Sequence, residues 1–368
     1  MRKAVLLLLF APLVALPLCS QSVQNPEPVI TFDLRTQGYN VDSWGDGSRV
    51  GFLSDHRLVV TINQYGPNRS TLKQQVETGV SRLAAWYEGP PVKTLVFDLN
   101  KKLVLNQGEL GNERVGLVFA PVGVDRFVVS TDTSICLYNS DLQLTNGYPI
   151  DGPPMRREIY VSPNGRWIRA RGTKGGFVVL DAETLKPAEP PHLRGEFDRP
   201  GNEGSLQVER VRQGPGKFIP RLFYRNASGV EKTIYEGCGN CQLHAQFVSS
   251  THILADGRVF ATEGTQLYKV DSPRGVGELA TSQSGVRFAI GVRYHTKSDT
   301  LLHGMDTERP YNRRWVRVFE TQSGKLLFEM SWDPRRYRHE SGIALSPNGR
   351  FLALIRDGWL EVFEVPTE

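Results

Sequence analysis

Ile159-Tyr-Val-Ser-Pro-Asn-Gly-Arg-Trp-Ile168 returns as Ile343-Ala-Leu-Ser-Pro-Asn-Gly-Arg-Phe-Leu352, 184 residues later. Each copy is a short apolar run, a Pro-Asn-Gly turn and a second apolar run. Asn-Gly tolerates the positive φ angles that tight hairpins require, so each copy reads as two antiparallel strands. A third run follows each: Phe177-Val-Val-Leu-Asp181 and Leu360-Glu-Val-Phe363. A weaker copy, Ala255-Asp-Gly-Arg-Val-Phe260, puts Gly257 92 residues from both Gly165 and Gly349. Two units of 46 residues fit each step. That is close to the ~40–45 residues of a four-stranded propeller blade.

The rest of the chain agrees. Val29-Ile-Thr-Phe32, Arg57-Leu-Val-Val-Thr-Ile62, Thr94-Leu-Val-Phe97, Arg126-Phe-Val-Val-Ser130 and Trp315-Val-Arg-Val-Phe319 are β-branched and aromatic. Gly, Pro, Asn, Asp and Ser punctuate them, as in all-β sandwiches, barrels and propellers. Long amphipathic helices are missing, which argues against a βαβ architecture. A helix candidate at 70–87 falls within a long insertion at 64–92. The chain has 368 residues, 39% of them apolar and 10% aromatic, which excludes a disordered chain. Its 36 Gly show no three-residue period, which excludes collagen. A net charge of +5 does not by itself call for nucleic acid, and none is expected as a partner.

Strand, Ser-Pro-Asn-Gly-Arg, strand and a third strand ending at Asp181 resemble the WD40-like β-propellers of bacterial exported proteins. They are similar to the blades of the TolB- and YVTN-type families. The match is clear at 159–187 and 343–365 and loose elsewhere. The resemblance implies an all-β propeller and a tendency to bind partners, not one activity. Seven four-stranded blades are expected over 46–368. The segment 21–45 contributes Val29–Leu34 as the strand that completes the last blade. Six or eight blades stay open, because Ser282-Gln-Ser-Gly285 also looks like a blade's first turn. Gly285 follows Gly257 by only 28 residues, too close for two equivalent turns.

Residues 1–20 read as a secretory signal: Arg2 and Lys3, then an apolar stretch Ala4–Leu18. The stretch is shorter than the ~20 residues that span a bilayer, and no later segment is apolar enough. Cleavage after Ser20 predicts a periplasmic or secreted protein. An uncleaved anchor and a lipoprotein attached through Cys19 are the rivals; Leu18 before Cys19 departs from the usual small residue. In an oxidising compartment Cys238-Gly-Asn-Cys241 reads as a local disulfide. Gln242 occupies the place where haem attachment needs His, and no second Cys/His pair suits zinc. Cys136 reads as a buried free thiol.

Two clusters and one pair of arginines stand out: Arg156 and Arg157; Arg309, Arg313 and Arg314; Arg335, Arg336 and Arg338. Tyr311, Trp315, Trp332 and Tyr337 lie among them. In a propeller, connections between blades and between second and third strands share one face, so all eight arginines are expected there. Guanidinium groups suit carboxylate, sulfate or phosphate. The expected partner is a protein or an anionic polymer of the cell envelope. A solvated rim paired with Glu308, Asp333 and Glu340 is the alternative. None of the seven His residues forms HxH or HExxH, and there is no GxSxG or phosphate loop. No catalytic residue, metal or cofactor is expected. A lactonase- or quinoprotein dehydrogenase-like propeller enzyme is the competing reading, since such enzymes gather single residues from several blades.

Overall fold

The computed structural model describes residues 26–39, 49–62, 91–112, 118–131, 134–150, 159–171, 177–190, 193, 199–237, 243–270, 278–294, 313–332, 342–356 and 358–367. They form seven antiparallel sheets, six of them four-stranded. Blade 1 holds β2 (Arg49–Ser54), β3 (Arg57–Ile62), β4 (Pro91–Asp98) and β5 (Leu103–Asn112). Blade 2 holds β6 (Val118–Pro121), β7 (Arg126–Ser130), β8 (Ser134–Asn139) and β9 (Leu144–Pro149). Blade 3 has three strands, β10 (Ile159–Val161), β11 (Trp167–Arg171) and β12 (Phe177–Asp181), with a single bridge from Leu180 to Pro187 in place of a fourth. Blade 4 holds β13 (Arg199–Pro200), β14 (Gly204–Gly214), β15 (Lys217–Asn226) and β16 (Glu231–Glu236). Blade 5 holds β17 (Ala245–Phe247), β18 (His252–Ala255), β19 (Arg258–Ala261) and β20 (Gln266–Lys269). Blade 6 holds β21 (Glu278–Thr281), β22 (Arg287–Tyr294), β23 (Arg313–Glu320) and β24 (Leu326–Trp332).

Blade 7 combines the two ends of the chain. Its inner strands are β25 (Ile343–Leu345), β26 (Phe351–Arg356) and β27 (Trp359–Glu364), and its outer strand is β1 (Ile30–Asp33). Ile30 pairs with Val362 and Asp33 with Trp359. Leu34 donates its N–H to Gly358 at 2.8 Å and is fully buried. Phe32 packs edge-on against Phe97 of β4, centroids 4.8 Å apart, so the closing strand also touches blade 1.

The core lies between blades. Six apolar clusters each straddle one pair of neighbours; Phe127 and Val129 of blade 2, for example, meet Leu53, Val59 and Val96 of blade 1. The blade 3–4 seam is different. Arg169 is buried there with its guanidinium 3.5 Å from the Phe177 ring centroid.

The repeat seen in the sequence is the turn between first and second strands. Ser162 and Ser346 are buried; each Oγ accepts the N–H five residues on, at 2.9 Å, and donates to an Asn Oδ1 two residues on. Ser282 accepts from Arg287 in the same way. Gly165, Gly285 and Gly349 close these turns at φ +71°, +71° and +75°. Gly257 does not belong with them. It lies between β18 and β19, the second and third strands of blade 5, so the even spacing of Gly165, Gly257 and Gly349 is coincidental. Gly285 is the first turn of blade 6, which resolves the count at seven. The far end of the insertion also moves: Pro91 and Val92 are already in β4. The helix candidate at 70–87 lies outside the described residues.

First turns of neighbouring blades touch around the whole ring. Asp125 donates its N–H to Leu53, Asn164 to Asn202 Oδ1, Ser284 to Pro347 and Asn348 to Asp55 Oδ1, all at 2.8–2.9 Å. At the other three seams a glycine makes the approach. A β-carbon on Gly165 would sit 2.9 Å from the Gly123 nitrogen; Gly201 meets the Phe247 ring and Gly285 meets Ser249 as closely.

Two substitutions test this account. Leu34→Ala should destabilise the protein by about 3 kcal/mol in urea unfolding, the usual loss for a fully buried leucine, whereas Leu144→Ala, at an exposed position, should change little. Gly165→Ala and Gly216→Ala impose the same φ penalty, about 1–2 kcal/mol, at φ +71° and +70°. A β-carbon at Gly216 would meet no atom within 4 Å, so Gly165→Ala should be the more harmful of the two.

Candidate functional site

Chain direction assigns each connection to a face. Turns between first and second, and third and fourth, strands leave on one side, the turn face. Connections between second and third strands, and between blades, leave on the other, the loop face. The strand ends that flank 151–158, 295–312 and 333–341 therefore all point to the loop face. Arg156, Arg157, Arg309, Arg335, Arg336, Tyr337 and Arg338 lie within those stretches and outside the described residues, as do Tyr311 and the Cys238–Cys241 pair. Arg313 and Arg314 are described by their backbone alone. They are the first two residues of β23, opposite Tyr294 and Arg293, and so belong to the strand rather than to the connection before it.

Trp315 follows them in β23 and pairs with Val292 and Ser331. It packs against the apolar cluster of blades 5 and 6, with the Arg317 guanidinium 5.2 Å from its ring centroid. Arg317 is in turn held by Glu329 at 2.5 Å. Trp332, at the end of β24, lies 5.9 Å from the guanidinium of Arg356, which pairs with Glu361 at 2.5 Å. Each indole is thus already covered by a guanidinium of this chain. Elsewhere on the loop face, Asp256 sits at φ +48° in the β18–β19 turn. Incomplete solvation raises its carboxyl above the ordinary 3.8, against the opposing charges of Arg258 and His244 and a hydrogen bond from Tyr235. Cys136 is buried and free in β8, its Sγ 3.1 Å from Ser134 Oγ.

The inner strands of all seven blades line a central channel of about 440 Å³. Its wall includes Phe52, Pro121, Tyr160, Arg199, Gln246, Thr281 and Leu345, one from each inner strand. Gly51 belongs to it as well, and a β-carbon there would meet Pro121 at 2.7 Å, so blades 1 and 2 approach as closely as their side chains allow. Arg199 is the one charged residue in the described lining, which contains no carboxylate and no imidazole. Its guanidinium donates to the Ala245 carbonyl of blade 5 and lies 5.1 Å from the Tyr160 ring centroid of blade 3. It ties three blades together at the wall. Among the described residues no group of three or more His, Cys, Asp or Glu is placed to hold a metal ion.

Sequence reasoning passed over Arg199 and the channel wall, because β13 is two residues long and gives no periodic signal. It also passed over the β14–β15 hairpin, whose Gly214-Pro-Gly216 turn between two strand-like runs was the available sign.

No protein-family model matches the chain, and no curated protein matches it. Solved structures do. A chain in the crystal structure of the mitotic checkpoint complex superposes with a TM-score of 0.51 at 12% identity, over 99% of both chains. The C-terminal WD40 domain of Sif2 superposes with a TM-score of 0.52 at 9% identity, over 94% of this chain and 99% of that one. At these identities the likeness carries the fold alone: the chain has a seven-bladed β-propeller fold similar to that of WD40 domains.

Replacing Arg199 with Met keeps the aliphatic stem and removes the donor. A hydrogen bond from a charged group contributes about 1.5–3 kcal/mol, so Arg199→Met should lower stability by about 2 kcal/mol in urea unfolding.

Proposed function

We propose that this protein is an exported, non-catalytic scaffold that engages a protein or an anionic envelope polymer through its loop face. WD40-type propellers typically serve as protein-interaction scaffolds, and the reading starts from that fold. The observation that carries it is topological. The three stretches that hold the arginines are separated in sequence, yet each is flanked by strand ends directed to one face. Guanidinium groups gathered there suit carboxylate, sulfate or phosphate in a bidentate manner. Export rests on the signal-like residues 1–20, with retention by an uncleaved anchor or through Cys19 as the alternative fates. In that compartment Cys238 and Cys241 form the local disulfide. No helix among the described residues is long and apolar enough to cross a membrane. A propeller enzyme would need carboxylates or imidazoles converging on the channel; the described lining supplies Arg199 as its charged group.

Retention on a heparin column tests the face. The Arg313→Ala, Arg314→Ala, Arg335→Ala, Arg336→Ala quadruple variant should elute at clearly lower salt than the wild type. Equal elution would refute the assignment.

A further inference from the structure

Blade 4 carries a ribbon that no other described blade has. β14 and β15 have 11 and 10 residues, about twice the length of a typical strand. Their neighbours are short. β13 covers only Ser205 and Leu206 of β14, and β16 pairs with β15 no further than Arg221. Gly237 still donates its N–H to the Pro220 carbonyl at 2.8 Å; past that point, from Val211 to Ile219, the two strands run on as a two-stranded ribbon closed at Pro215-Gly216. A β-carbon added at Gly214 or Gly216 would meet no atom within 4 Å, and Pro215, Gly216, Lys217 and Phe218 are exposed, so the tip stands in open solvent. Because it joins second and third strands, the ribbon rises from the loop face.

Its edge is unpaired. From Gln207 to Gly214, β14 has only β15 beside it among the described residues. β13 is the strand nearest the axis, so this bare edge faces inward, across the channel mouth. Unpaired main-chain N–H and C=O groups on such an edge can take up a further strand. The side chains add charge. Arg210 and Arg212 are exposed and alternate with Val211, which places both on one face of the ribbon, level with Pro220 and Phe218 of β15. Lys217 is exposed at the tip. Arg210 and Lys217 have no ion-pair partner among the described residues, and Arg212 reaches only the Gly214 carbonyl, at 3.3 Å. Arg221, by contrast, is paired with Glu236 at 2.7 Å. Phe218 is 40% exposed beside the two arginines.

We infer that β14 is a strand-addition site for an extended acidic peptide segment of a partner protein. The inference rests on the loop face being the recognition face, and it names the partner class. A polysaccharide could satisfy the arginines, but it has no backbone to complete the ladder; a peptide satisfies both. The period of a strand sets the pattern: carboxylates at every second residue would face Arg210 and Arg212.

The probe is a fluorescent octapeptide of alternating Glu and Thr, matched to the eight residues Gln207–Gly214 and read by fluorescence anisotropy on the full chain. The wild type should bind it, more weakly as salt rises. Arg210→Glu with Arg212→Glu should weaken binding by at least about tenfold, with the unfolding midpoint unchanged because both side chains are exposed. The same peptide N-methylated at every residue, which has no N–H left to donate along either edge, should fail to bind. No binding by the unmodified peptide would overturn the proposal, as would equal binding by the double-Glu variant or by the N-methylated peptide. Heparin retention separates the two readings. A protein retained on heparin that ignores the peptide loses the strand-addition site and keeps the arginine face; the converse keeps the ribbon and loses the arginine clusters.

Discussion

The pairing of Ile30–Asp33 with Trp359–Val362 is the contact on which the closed ring depends. Every other blade is folded from one continuous stretch, with neighbouring strands joined by short turns or longer connections. Blade 7 brings together residues more than 300 positions apart, at the full cost in chain entropy of closing so long a loop. That cost grows only slowly with length, and the buried side chains at the joint offset it. Leu34 is fully buried and Phe32 packs on Phe97, so the closing strand is fixed to blade 1 as well as to β27. Without it, β27 would leave an open edge and the blade 7–1 core would lose one wall.

Closure makes the first turns into a second ring. Each blade's turn lies against the next, by a hydrogen bond at four seams and by a glycine's bare backbone at three. This explains why Ser-Pro-Asn-Gly is legible twice and only in part elsewhere. The serine three residues before the glycine holds the turn from inside, and Ser162, Ser282 and Ser346 all do so. Gly257 has Leu254 in that position. Asp-Gly chemistry serves any tight hairpin, so the dipeptide alone does not say which turn of a blade it forms. The serine does, and that distinction was present in the sequence.

Other features were not legible, for reasons of context. A hairpin over Val208–Ile219 could be read from its Gly-Pro-Gly turn. Whether that hairpin projects depends on how far β13 and β16 extend beside it, and two-residue β13 leaves almost no trace in sequence. Arg199 has the same difficulty: its role follows from Tyr160 and Ala245, 39 and 46 residues away on other blades. The polar seam between blades 3 and 4 is a third case. Arg169 sits in an otherwise apolar run, Trp167–Ala170; Ile168 and Ala170 join the core shared with blade 2, and Arg169 between them points to the opposite side of β11.

The two faces consequently carry different constraints. On the turn face, loop length is set by contact with the next blade: an added residue at Asn164 or Asn348 would break an inter-blade hydrogen bond. On the loop face no such ring of contacts is described, and there the connections differ widely in length. β3 and β4 are separated by 28 residues and β22 and β23 by 18, while β18 and β19 are joined by two. Variation of this kind is tolerated where backbone polar groups can reach water, and it is where recognition groups can be added at least cost to the scaffold. Blade 4 shows the same economy within a strand pair. It extends β14 and β15 by several residues beyond the sheet, leaves the blade's own core of Leu206, Leu222 and Ile234 intact, and so presents a charged edge without disturbing the ring that holds it.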